Sequence, residues 1–210
     1  MKFQMICLPL LCALGSFILT LLLGRIIIPA LRALKAGQSI REIGPSWHKS
    51  KDGTPTMGGI MFILSAAAAM ILCGWGGMMS GSYEHLFVLA FSLIFGGIGF
   101  IDDYVKVKKH RNLGLTALQK LALQLAAAAL YLLLLRWSGS LSGTLYIPFW
   151  NITVSVPWWI YLVFAMFVIV GCVNAVNLTD GVDGLASGVT IPVMAFFAVT
   201  AAGWSSSSES

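Results

Sequence analysis

Three stretches without a single charged side chain set the terms for this chain: Ile6 to Gly24, Gly53 to Tyr83 and Ser138 to Thr179. An uncharged apolar run of about 18 residues or more can cross the hydrocarbon of a bilayer as a helix. Hydrophobic residues make up 58% of the 210 and charged ones 10%, whereas soluble domains carry about 25% charged residues. A water-soluble globular core is therefore excluded.

Six membrane segments are predicted, near 5–29, 57–79, 86–101, 117–136, 156–176 and 184–204. The expected fold is all-α, a polytopic integral membrane helix bundle of about six transmembrane helices over residues 1–204. The connection 137–155 alternates apolar and polar residues over Thr144–Phe149 and Asn151–Val156, the pattern of a short hairpin. Most tryptophans, Trp75, Trp137, Trp150, Trp158 and Trp159 among them, fall near predicted interfaces. Residues 205–210 read Ser-Ser-Ser-Ser-Glu-Ser and are expected to form a disordered tail. The first segment is longer than the roughly 7–15 residues of a signal-peptide core and lacks an A-x-A site, so it is expected to be retained.

The chain carries a net charge of +5, and where the charges fall matters more than their sum. Arg32, Lys35, Arg41, Lys49 and Lys51 lie in the first connection, and Lys106, Lys108, Lys109 and Arg111 in the third. The second and fourth connections have no Lys or Arg, with Arg136 at the edge of the fourth. The bias toward cytoplasmic Lys and Arg places the first and third connections inside and the N-terminus outside, and the fifth follows by alternation. Cys7, Cys12, Cys73 and Cys172 lie in apolar segments without a C-x-x-C motif. They read as small core residues rather than disulfide partners or metal ligands.

Three polar islands interrupt the apolar pattern. The first is GPSWHKSKDGTPTMGG, Gly44 to Gly59. Its glycines let backbone amides approach a ligand, its lysines supply point charges for phosphate, and Thr54 and Thr56 supply hydroxyls. His48 is the one histidine of interest; the same composition also suits a turn-rich loop carrying topology signals. The second island, GFIDDYVK, closes the third segment with Asp102, Asp103 and Lys106. Lys106 lies three to four residues on and can reach either carboxylate. The third, NAVNLTDGVDGLA, carries Asn177, Asp180 and Asp183 at three-residue spacing, which a helix would place on one face. Capping at a helix break is the simpler reading of that triplet. Acids at the lip of a membrane are costly and mark functional candidates. No Walker loop, Rossmann fingerprint or zinc pattern is present.

Together the three islands resemble the polyprenyl-phosphate N-acetylhexosamine-1-phosphate transferases. The stretch H-x-x-K-x-G-T-P-T-M-G-G over His48–Gly59 is similar to that of the phospho-N-acetylmuramoyl-pentapeptide branch. The resemblance implies transfer of phospho-MurNAc-pentapeptide from UDP to undecaprenyl phosphate, with Mg²⁺, in the bacterial cytoplasmic membrane. It implies an active site facing the cytoplasm, with Asp102 and Asp103 catalytic and Asn177, Asp180 and Asp183 in the nucleotide pocket. Lys51 and Thr56 are implied in the same cleft, and His48 and Lys106 near it. Membrane lipids are expected partners and nucleic acid is not; a homodimer is left open. Family members continue through further helices, which bring the aspartate that holds Mg²⁺ and a histidine-rich loop. The expectation is therefore split between an enzyme of this kind, a relative acting on another sugar phosphate, and an inactive remnant or interaction partner.

Overall fold

The computed structural model describes residues 2–33, 56–109 and 113–207. Among the described residues six helices and one hairpin follow in order: α1 (Lys2–Ala33), α2 (Gly59–Met79), α3 (Glu84–Lys108), α4 (Ala117–Trp137), β1 (Thr144–Ile147), β2 (Ile152–Ser155), α5 (Trp158–Thr179) and α6 (Leu185–Ser207). The first five helices are long and apolar enough to cross a membrane, and α6 is apolar over Leu185–Ala201. The expected all-α membrane bundle is borne out. Lys51 and His48 lie outside the described residues.

Contacts divide the chain into two compact units, Met1–Leu135 and Arg136–Ser210. In the first, α1 packs along α2 and α2 along α3. Small residues let these helices approach, as is usual where lipid offers no hydrophobic drive between helices. A Cβ on Gly96 would sit 3.3 Å from Ile63 Cδ1, and one on Gly74 would collide with the His85 imidazole. Helix α4 joins α3 through Phe91 and Tyr131, whose rings stack at 4.0 Å.

The interior is small and partly polar. Leu89, Ile98, Ala127, Ala128 and Leu132 are buried, and so are Ser65, Asp102 and Gln124. Large apolar side chains point outward instead, such as Ile26, Leu72 and Phe167. This inversion suits a lipid solvent, in which backbone groups must be satisfied within each helix. Hydroxyls in the spans follow the same rule: Thr20, Ser65 and Thr190 each donate to the carbonyl four residues back, at 2.7–2.8 Å.

The second unit contains the antiparallel β1–β2 hairpin and the α5–α6 pair. Within this unit Arg136 lies 5.1 Å from the Trp158 ring centroid, at the first residue of α5.

Four expectations change. Cys12 and Cys73 form a disulfide, 61 residues apart in sequence, because the α1–α2 packing brings their Cα atoms to 6.4 Å. Cys172 is exposed on α5 rather than packed in a core. The third segment does not stop at residue 101; α3 runs to Lys108 and carries both aspartates within it. Helix α6 extends through Ser207, three residues into the serine-rich tail.

Candidate active site

The second island becomes a structured cluster because α3 continues through it. Asp102 and Lys106 are one helical turn apart, and Lys106 Nζ lies 2.8 Å from Asp102 Oδ2. The same ammonium lies 2.9 Å from Asp103 Oδ1. Two neighbouring carboxylates repel each other, and one lysine placed between them offsets that repulsion.

The chain after α3 then folds back onto Asp102. The Leu115 N–H donates to Asp102 Oδ1 at 2.8 Å. Gly114 makes this possible, since any Cβ there would overlap the Asp102 carboxylate and its main-chain oxygen. Helix α4 starts immediately afterwards with a capping box. The Gln119 N–H donates to Thr116 Oγ1 at 3.2 Å, and the Thr116 N–H donates to Gln119 Oε1 at 3.1 Å. That start sets Lys120 in the first turn of α4, its Nζ 3.9 Å from Asp102 Oδ2. One turn further, Gln124 is fully enclosed.

Asp102 is thus held by its own helix, by a loop amide and by a second helix, and is 8% exposed. Asp103 differs: its side chain keeps 37% exposure and is the reachable carboxylate of the pair. Lys120, Gly114 and Gln124 escaped the sequence reading. The usable signal was Thr116-Ala-Leu-Gln119, an S/T-x-x-E/Q box that fixes a helix start and so the direction of the next lysine.

In the second unit the third island is not a helical face. Helix α5 ends at Thr179, Asp180 is its C-cap, and Asp183 lies in the turn before α6. Gly184, at φ +77°, takes the left-handed conformation that ends the turn at little steric cost. Asn177, Asp180 and Asp183 are all exposed. Of the first island, Thr56 is described; it is half-buried just before α2, next to Met57 with its φ of +67°.

Among the described residues no group of three His, Cys, Asp or Glu side chains is placed to hold a metal. Mg²⁺, however, is commonly bound by one or two carboxylates together with substrate phosphates and water. The accessible Asp103 beside Asp102 fits that partial donor role.

Comparison with known proteins places the chain in a family. Residues 85–209, more than half of the chain, match the model of glycosyl transferase family 4. Residues 51–63 match phospho-N-acetylmuramoyl-pentapeptide-transferase signature 1. Relatives named phospho-N-acetylmuramoyl-pentapeptide-transferase include those of Halalkalibacterium halodurans, 45% identical over 186 residues, and Listeria welshimeri, 43% identical over 187. Each alignment covers 89% of this chain and 56% of the relative. For the relative from Clostridioides difficile, 42% identical, the shares are 94% and 59%. The chain thus spans little more than half the length of the curated relatives it matches. The matched family model covers the aspartate–lysine cluster and the α5–α6 turn alike, and on that ground the chain belongs to glycosyl transferase family 4.

Proposed function

We propose that this chain supplies part of the active site of a phospho-MurNAc-pentapeptide transferase. In the reaction, a phosphate oxygen of undecaprenyl phosphate bonds to the β-phosphorus of UDP-MurNAc-pentapeptide. The bridge to the α-phosphate breaks, UMP leaves, and the lipid-linked peptidoglycan precursor is formed. The observation that carries the reading is the cluster of Asp102, Asp103, Lys106 and Lys120 at one end of α3 and α4.

Both substrates are phosphate anions, so positioning and charge neutralisation do most of the work in such a transfer. Lys106 and Lys120 present ammonium groups to the phosphates, and Asp102 holds both in place. Buried and three-fold engaged, Asp102 orients rather than exchanges a ligand. Asp103 is the carboxylate open to the incoming phosphate or to Mg²⁺, with Asp102 beside it. When bound, Mg²⁺ neutralises charge on the phosphate oxygens as a Lewis acid. Exposed Asn177, Asp180 and Asp183 offer oxygens that suit ribose hydroxyls and a uracil edge. Lys51 and Thr56 belong to the matched signature, His48 precedes it, and all three residue types suit a nucleotide-sugar phosphate.

The protein is placed in the bacterial cytoplasmic membrane as a multi-pass protein. Its N-terminus is outside and the aspartate cluster at the cytoplasmic lip, as the lysine and arginine bias supports. Whether it works as a homodimer is part of the same test, read from its mass in detergent.

The chain in detergent, given undecaprenyl phosphate, UDP-MurNAc-pentapeptide and Mg²⁺, is expected to release UMP. A relative of full length serves as the positive control. Turnover of UDP-GlcNAc in place of the muramoyl substrate would assign it to another sugar-phosphate transferase. The signature at 51–63 speaks against that. No release from either donor, with the control active, would leave a binding partner or remnant.

A further inference from the structure

The β1–β2 hairpin has two unlike faces. Its register pairs Leu145 with Val154 and Ile147 with Ile152, and these four side chains share one face because directly opposed residues point the same way. The other face pairs Thr144 with Ser155 and Tyr146 with Thr153. The aliphatic face is only partly covered: Leu145 and Ile147 are half-buried, while Ile152 is 47% exposed and Val154 39%. The tip is more open still, with Phe149 at 94% and Trp150 at 72%.

The turn that presents those aromatics is fixed. Asn151 adopts φ +50°, its N–H donates to the Pro148 carbonyl at 3.3 Å, and the Tyr146 hydroxyl donates to Asn151 Oδ1 at 2.8 Å. Asn tolerates this left-handed conformation better than most residues. A two-stranded hairpin is marginal in water by itself, and one with a partly covered aliphatic face and an exposed aromatic tip is worse.

The chain connection names the surface that covers it. The Val156 N–H donates to the Gly143 carbonyl at 2.9 Å, so the ladder continues to the base of the hairpin. Only Val156 and Pro157 separate β2 from α5, a reach of about 7 Å. Trp159 follows in the first turn of α5, and Trp137 neighbours Arg136, whose guanidinium lies over the Trp158 ring; both tryptophans are largely exposed. No charged residue occurs from Trp137 to Thr179, so nothing in the hairpin resists the head-group region. Within this unit an uncharged, largely exposed apolar surface therefore runs from α5 onto the hairpin.

We propose that the hairpin lies in the bilayer interface of the bordering leaflet, with the aliphatic face and Phe149 and Trp150 among the lipids. Tyr146, Thr153 and the other polar side chains face water. Its backbone is paired along the inner ladder, and its outer edges find water at interfacial depth.

The test uses the full chain in lipid nanodiscs with fluorotryptophan at its seven tryptophans, read by fluorine NMR. The resonance lost in Trp150→Phe identifies Trp150, and Trp150→Tyr provides the same assignment should the first variant misfold. A nitroxide carried high on a lipid acyl chain is expected to broaden that resonance strongly, while a water-soluble gadolinium chelate leaves it sharp. Broadening by the chelate alone would put the hairpin in water and overturn the proposal. Broadening by neither would mean that protein, such as a second copy of this chain, covers the tip, and would overturn it equally.

Discussion

Two turns carry this protein's clustered carboxylates, and they are built in opposite ways. The connection from α3 to α4 folds back so that a loop amide and two lysines converge on Asp102, which is almost enclosed. The connection from α5 to α6 leaves Asp180 and Asp183 exposed on a five-residue turn. A buried carboxylate with several partners is already organised before any ligand arrives, and removing one partner strands the others. An exposed carboxylate on a turn costs little to change and gains its importance from what it binds. The first turn is thus a fixed anchor for charge, and the second a solvent-exposed pair of carboxylates.

The sharpest way to break this contrast is Asp102→Asn. It leaves Lys106 and Lys120 without their shared counter-charge, and UMP release by an active preparation is expected to fall roughly 10²–10³-fold. Near-normal turnover would remove Asp102 from the site. Gly114→Ala comes next. Its methyl group would displace the Asp102 carboxylate, and overpacking of this kind costs about 1–3 kcal/mol. Thermal unfolding in detergent should show the loss, and activity should fall with it. If Gly114→Ala matches the unsubstituted protein in both, the loop does not hold Asp102.

Asp183→Asn tests the open turn. Stability should stay within about 0.5 kcal/mol, as for exposed positions in general. The KM for the UDP-linked substrate should rise about tenfold, corresponding to about 1.4 kcal/mol of lost binding. A large drop in melting temperature instead would show that this turn is a structural element. The smallest effect is expected from Thr116→Val, which removes the cap of α4 at about 1 kcal/mol. Helix content by circular dichroism should barely change, while the turnover of the variant reports how firmly the start of α4 holds Lys120.

Much of this was legible in the chain. Membrane spans are the easiest elements to read, because hydrocarbon forces every backbone group into its own helix and so demands long uncharged runs. The hairpin was legible from its alternation and the aspartate cluster from the cost of acids at a membrane edge. The Cys12–Cys73 bond was not, since cysteines 61 residues apart carry no spacing signal. Nor was the true end of α3, because charged residues in its last turns look like a loop when only hydropathy is counted. Asp180 and Asp183 illustrate the converse: their spacing fits a helical face, but the glycines among them end the helix first.

The sequence by itself determined the all-α membrane class and the family, since each depends on local composition or on a contiguous motif. Only the tertiary structure decided which carboxylate is held and which is open. Asp102 and Asp103 are neighbours of identical chemistry, and no local rule separates them. What separates them is about 100° of helical rotation, which turns Asp102 toward Leu115 and Lys120 and leaves Asp103 facing outward.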